Sequence, residues 1–199
     1  VGDSKRERGR ATRAKILEAT AELIAEAGWS GFSTRDIAAR AGVTQGIVGY
    51  HWRSKDDLVR EAALTASAQT LAPVFDAVDQ APSVRVALEQ LLELAGVFRD
   101  QPQLTLLLFE TMLQAGRDRQ LRNALAVMLR DFRTRLAAAL ADQGAARPKA
   151  TAAALTAALD GLFLHAVVDD QLDLHTAGTA LLRLLDQPTS SPSTRPRSR

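Results

Sequence analysis

Apolar residues recur at three- and four-residue intervals along most of the chain, the period of amphipathic helices, and no strand is predicted. The first such segment runs from about Thr12 to Ala27. It sets Ile16, Thr20, Leu23, Ile24 and Ala27 on one face, and Gly28 supplies its stop. Two short segments follow. Thr34 can cap the first, whose inward positions are Ile37, Ala38 and Ala41. Gly42 falls where a helix end needs a left-handed residue. Val43 then fills the corner, Thr44 caps the second segment, and Val48 points back at Ala38, which must be small because the second helix crosses close above it. The spacing Ala38, Gly42, Val48 is that of a helix-turn-helix with Gln45 to His51 as recognition helix. An ordinary helical hairpin can carry the same glycine, so the flanks matter. Next comes His51-Trp52-Arg53-Ser54-Lys55-Asp56-Asp57-Leu58, in which Ser54 caps a new helix and two acids sit in its first turn, where the helix dipole favours them.

That fourth helix, beginning at Lys55, carries two stripes. Leu58, Val59, Ala62 and Ala66 form one, and Leu64, Leu71, Phe75 and Val78 form another on nearly the opposite side. A helix patterned this way leaves one core and enters a second, and Pro73 is expected to kink or end it near Ala72. Five further helices are predicted: about Val84 to Arg99, Pro102 to Gln114, Arg119 to Asp142, Lys149 to Asp170 and Leu174 to Asp186. The helix after Pro102 is apolar nearly all round, which predicts burial on most sides. No internal repeat appears, and the Pro/Ser/Thr/Arg tail from Pro188 cannot bury anything.

Residues 10 to 60 resemble the DNA-binding domain of the tetracycline-repressor (TetR) family of transcriptional regulators. The resemblance is carried by Ala27-Gly28-Trp29, Phe32-Ser33-Thr34-Arg35-Asp36-Ile37-Ala38, Gly42-Val43-Thr44, His51-Trp52 and Lys55. Beyond residue 60 it is one of length and helix layout. Family members commonly have tyrosine where this chain has Gly49 and phenylalanine where it has Trp52. The glycine removes a phosphate-contacting ring and leaves that task to Tyr50. The fold class implied is all-α, with an N-terminal three-helix helix-turn-helix domain and a C-terminal helical ligand-binding and dimerisation domain. The divisions are a disordered basic arm over 1–10, the DNA-binding domain over 11–60, the regulatory domain over 61–187 and a disordered tail over 188–199.

Charge agrees with that division. The formal net charge is +2. Residues 1–60 hold eleven basic and eight acidic groups, residues 61–187 eleven and fifteen, and the tail three arginines. A basic start with Lys5, Arg6, Arg8 and Arg10, ahead of a mildly acidic middle, suits a protein that touches nucleic acid at one end. Cysteine is absent, which excludes disulfides and thiolate chemistry. No apolar run of about 18 residues and no secretory signal is evident, so a cytoplasmic protein with no membrane partner is expected.

For DNA, Gln45, Gly46, Ile47 and Tyr50 are the candidate base readers: an amide that can pair with adenine, a close backbone approach and an apolar contact for a thymine methyl. Thr34, Thr44, Tyr50, His51 and Lys55 are phosphate candidates, with Arg35 alongside them. For catalysis little is on offer. His51, His165 and His175 lie far apart, no metal-ligand spacing exists, and no enzyme or cofactor is expected. Candidate ligand residues are Phe75, Phe98, Leu107, Glu110, Met128, Phe132, Phe163 and His165, for each of which, taken singly, plain core is the better reading. Glu110 could face solvent with Gln103 and Gln114 or pair with a cationic ligand.

The two last helices are apolar on more than one side, leaving Leu155, Leu159, Leu162, Phe163, Ala166, Leu181 and Leu185 as interface candidates, with Gly161 allowing close approach. The resemblance implies a four-helix interface between two subunits. The reading is a homodimeric regulator that binds an inverted-repeat operator in double-stranded DNA and is released by a mostly apolar small-molecule effector. The competing reading is a helical sensing or scaffold protein whose helix-turn-helix contacts a protein partner.

Overall fold

A computed structural model describes residues 2–185, apart from the side chains of residues 2–5, 94–97, 99, 182, 184 and 185. Among the described residues every regular element is helical: α1 (Gly2–Ala27), α2 (Thr34–Arg40), α3 (Gln45–His51), α4 (Lys55–Gln80), α5 (Val84–Asp100), α6 (Pro102–Ala115), α7 (Arg119–Asp142), α8 (Pro148–Val168) and α9 (Leu174–Leu185). The tail over 188–199 lies outside the described residues, as does the side chain of Leu185. The basic stretch expected to be an irregular arm instead continues α1 back to Gly2. It contains no proline and only one interior glycine, Gly9, so nothing local stops the helix there.

The helices make two main cores. In the first, Ile16, Leu17, Leu23 and Ile24 of α1 pack with Phe32, Ile37, Ala38, Val48 and Trp52, and with Leu58, Val59, Ala62 and Ala63 of α4. In the second, Val78 joins Leu88, Leu91 and Leu92 of α5, Phe132, Leu136 and Leu140 of α7, and Ala152, Leu155 and Leu159 of α8. Each fully buried leucine or isoleucine contributes roughly 1.5–3 kcal/mol relative to exposure. The two stripes of α4 therefore serve different cores, as its pattern predicts. A smaller cluster joins them at the α6–α7 corner: Ala115, Leu121 and Leu125, with Trp29 and Leu64 against them. Trp29 also packs on the first core.

Four expectations are corrected. Pro73 does not end α4, which runs unbroken to Gln80. Pro73 and Gln69 are both exposed, so the carbonyl left without its helical donor faces water, while packing at both ends keeps the helix continuous across it. Helix α6 is not buried on most sides, since Leu106, Met112 and Leu113 are exposed and Leu113 keeps 64% of its surface. Its apolar residues are shared among the first core, a cavity and solvent. Helix α8 is long and apolar enough, by length and composition, to cross a membrane, contrary to the expected absence of such a run. It packs on α7 and α9 and puts Ala152, Leu155, Thr156 and Leu159 inside the protein. Leu155 and Leu159, expected at a subunit interface, are thereby core residues.

Candidate functional site

The helix-turn-helix is fixed by local chemistry. Ser33, not Thr34, caps α2: its hydroxyl accepts from the Asp36 amide at 3.3 Å while the Asp36 carboxylate accepts from the Ser33 amide at 2.7 Å. This reciprocal capping box holds the Asp36 carboxyl below its ordinary pKa, chiefly through the Ser33 hydroxyl and then the Ser33 amide. At the far end Gly42 takes φ +65°, and the Gly42 and Val43 amides donate back to Ala39 and Ala38 at 3.2 and 2.9 Å. Val48 and Ala38 are buried together beneath the crossing. Arg40 then pins α2 to α1 with a fork on Glu26 at 2.8 and 2.7 Å and a third bond to Glu22 at 3.1 Å.

That scaffold turns one face of α3 outward. Tyr50 is 85% exposed and Ile47 37%. Arg35, Thr44, Gln45 and Gly46 are exposed too. Thr44 opens α3 without a side-chain cap bond, so its hydroxyl is not committed to the helix. Thr34, relieved of capping, accepts from the Gln45 side-chain amide at 3.0 Å. The candidate adenine reader is thus held by a neighbouring helix in this state. Lys55 is likewise engaged: its ammonium donates to the Phe32 carbonyl and lies 4.5 Å from the Phe32 ring centroid. His51 is half-buried between Tyr50 and Trp52, with ring centroids at 5.2 and 5.5 Å.

Thr34, Gln45, Gly49, Arg53, Ser54 and Lys55 surround one shallow hollow on this face. Arg53 is exposed there and was missed by sequence reasoning, although its place between the recognition helix and the Ser54 cap pointed to it. A side chain at Gly49 would extend into open space. Trp52 has a structural task. Its indole N–H donates to Glu61 at 2.8 Å, Arg13 pairs with the other Glu61 oxygen, and the Arg13 guanidinium lies 4.9 Å from the Trp52 ring centroid.

The second site is a cavity of about 90 Å³ between α4, α5, α6, α7 and α8. Of the eight candidate ligand residues, Phe75, Phe98, Met128, Phe132 and Phe163 line it. Phe75 stacks on Phe132 at 5.4 Å, and Phe98 meets Phe163 at 4.9 Å. The other three lie elsewhere. Leu107 belongs to the first core. Glu110 faces Gly28 at the end of α1, within 3.8 Å of where a Cβ there would stand. His165 is exposed. The acid on the cavity wall is instead Asp160, which sequence reasoning passed over. Burial raises its carboxyl above the ordinary carboxylate pKa, and Arg133 opposes that only in part.

The two sites share α4 and the α6–α7 corner. Leu71, Val74 and Phe75 of α4 reach the cavity, while Leu58 and Val59 lie in the first core. Arg60 of α4 pairs with Asp118 at 3.0 Å, and Asp118 also caps α7 by accepting from Gln120 and Leu121 at 2.8 and 3.0 Å. Leu125 is common to the cavity wall and to the cluster that holds Trp29.

Comparison with known proteins bears on both halves. Residues 16–62 match the tetR family of bacterial regulatory proteins, and residues 82–187 match the tetracycline repressor-like C-terminal domain. Over 46 residues the chain is 50% identical to the HTH-type transcriptional repressor Rv3405c of Mycobacterium tuberculosis, covering 23% of this chain and 24% of that protein. The chain thus matches about a quarter of the length of its curated relatives. A transcriptional regulator from Rhodococcus sp. has a TM-score of 0.75 and 27% identity over 87% of this chain and 95% of that one. A TetR transcription regulator from Haloarcula marismortui shares the fold, with a TM-score of 0.74 and 22% identity over 89% and 97% of the two chains. The two matched domains together span most of the chain in the order its helices suggest, and the chain belongs to the tetR family of bacterial regulatory proteins.

Proposed function

We propose that this protein is a cytoplasmic, homodimeric repressor that grips an inverted-repeat operator with α3 and lets go when a mostly apolar small molecule enters the cavity. The observation that carries the DNA half is the outward face of α3. Thr44, Gln45, Gly46, Ile47 and Tyr50 stand clear of a core that fixes the helix from behind, and Arg53 stands beside them. Phosphates are met by Arg35, Thr44, Tyr50 and Arg53, and bases by Gln45 once its amide leaves Thr34. Lys55 and His51 act from the edge of that surface.

Dimerisation is supported by α8. Its inner face fills the second core, yet Leu164 is 40% exposed and Val168 84%. Ala154, Ala157 and Gly161 lie on the same outer side, and a side chain at Gly161 would meet nothing. An all-round apolar helix with one open side calls for a partner. A second copy of the same face, with α9 beside it, gives a two-fold interface. Of the other candidates, Leu162 is half-buried, Phe163 and Leu181 pack on the second core, and Ala166 borders an inner hollow with Phe98 and Leu174, so none of these belongs to the open side itself.

Release follows from the shared rod. DNA holds the two recognition helices about 34–36 Å apart or a multiple of that. A ligand that spreads the cavity displaces the Leu71–Phe75 end of α4 and swings the helix-turn-helix at its other end. DNA affinity then falls by as much as the ligand prefers the swung state. The test is selection of bound genomic fragments with native protein and Gln45→Ala. The expected native motif is an inverted repeat, with preference relaxed at one base of each half-site in Gln45→Ala at a cost of about 1–3 kcal/mol. An unchanged motif would refute this placement of α3, and no selected motif would refute sequence-specific DNA binding.

A further inference from the structure

Asp160 is out of place as a structural residue. It lies in the middle of α8, where aspartate is a poor helix former, on the face it shares with Thr156 and Phe163, and all three line the cavity. Among the described residues no hydrogen bond or ion pair is made to its carboxylate. Arg133 on α7 acts on it only through space, and the Arg133 Nε is itself buried without a partner. Leaving a half-buried carboxylate without a bonded partner is costly, and an alanine at this position would avoid the cost.

The rest of the wall defines what could satisfy it. The lining is aromatic and aliphatic apart from Asp160, Thr105 and Thr156, and the Thr156 hydroxyl already donates to the Ala152 carbonyl at 2.8 Å. Among the described residues no cationic side chain lines the cavity, so an anionic ligand would meet a like charge on its wall. A cation entering beside five phenylalanines, including Phe109, gains both the carboxylate and the aromatic faces.

Resting on the effector reading above, we propose that Asp160 selects the ligand class: the cavity takes an apolar, ring-bearing molecule carrying one protonated amine, with the ammonium on Asp160 and the ring among Phe75, Phe98, Phe132 and Phe163. The selecting acid is Asp160 and not Glu110, which stands at Gly28 outside the cavity.

The experiment compares three probes of one shape, 2-phenylethylamine, 2-phenylethanol and phenylacetate, by calorimetric titration of the full-length native protein and of Asp160→Asn. The native protein should bind the amine about tenfold or more tightly than the alcohol, as for one hydrogen bond to a charged group, and the acid least. In Asp160→Asn the amine's advantage should shrink to about twofold or less while alcohol binding holds. The native ranking stands as a test even if the variant fails to fold. Equal or tighter binding of the alcohol or acid by native protein, or an amine preference that survives in Asp160→Asn, overturns the proposal. Failure of all three to bind overturns the cavity as a site for ring-bearing molecules of this kind, and with it the proposal, while the broader effector reading is decided separately by operator release. An amine that binds through Asp160 yet leaves the selected operator bound upholds the proposal and overturns only release.

Discussion

The two ends of α4 are packed in opposite ways. At the DNA end, Leu58, Val59, Ala62 and Ala63 are almost wholly buried, and the Arg13–Glu61–Trp52 network closes the polar edge. At the other end Leu71, Val74 and Phe75 are only half-buried and border empty volume. A sealed contact moves as a body, because close-packed interiors do not deform gradually. A contact bordering a cavity has somewhere to go. The head of the molecule is therefore built to be carried, and the body to be changed.

Matched truncations along α4 put the largest strain on this contrast. Leu58→Ala should cost about 3–5 kcal/mol, because its cavity opens in a filled core, whereas Leu71→Ala should cost about 1–2 kcal/mol, because it only enlarges a space already present. Urea unfolding of the two variants measures both, and equal costs would break the contrast.

The outer surfaces differ as well. Leu164→Glu, on the open side of α8, should leave the chain folded but weaken self-association by about 2 kcal/mol or more, since the carboxylate is solvated in one subunit and buried between two. Sedimentation against concentration reads this directly. An unchanged dimer would take α8 out of the interface. Phe163→Glu is a poorer probe, because Phe163 packs on Phe98 and borders the cavity.

The joint between head and body carries a smaller term. Asp118→Ala removes the cap of α7 and the Arg60 pair together, for about 1–2 kcal/mol. The Asp118 carboxyl is held below its ordinary value, first by the Leu121 amide and further by Arg60. Its contribution is thus complete above the unfolded carboxylate value of about 3.9 and is lost as pH falls through the lower folded value. Acid unfolding of Asp118→Ala should accordingly show a shallower fall in stability below about pH 4 than the native protein.

The smallest expected change is a gain. Gly49 sits inside α3 with open space where a side chain would be. Gly49→Ala should stabilise the head by about 0.5–1 kcal/mol. Thermal unfolding checks it, and a loss of stability would show that α3 needs the glycine for its fold.

The head was legible in the sequence because its geometry is set locally: a glycine at the one left-handed position, small Ala38 under Val48, and caps within three residues of their targets. The miss at Thr34 was itself local, since Ser33 followed three residues later by Asp36 is a capping box. The body was less legible. Helices α6 and α8 are apolar nearly all round, so periodicity cannot say which side meets the core, a cavity, a partner or water. For that reason the pattern places Leu155 and Leu159 outward, and predicts burial on most sides of α6, where Leu106 and Leu113 are exposed. Asp160 went unremarked inside an apolar run, although its spacing from Thr156 and Phe163 puts the three on one face. Gln45 bonding Thr34, and Lys55 reaching the Phe32 carbonyl, depend on tertiary approach across 11 and 23 residues.

The central claim is that two copies of the α3 face read one duplex together. The most direct measurement is sedimentation of a labelled duplex, carrying the selected motif, with native protein over a range of salt concentrations. The account predicts protomers bound in pairs, with affinity falling steeply and linearly in log–log form as phosphate contacts release counterions. One protomer per duplex, or binding indifferent to salt, would contradict it.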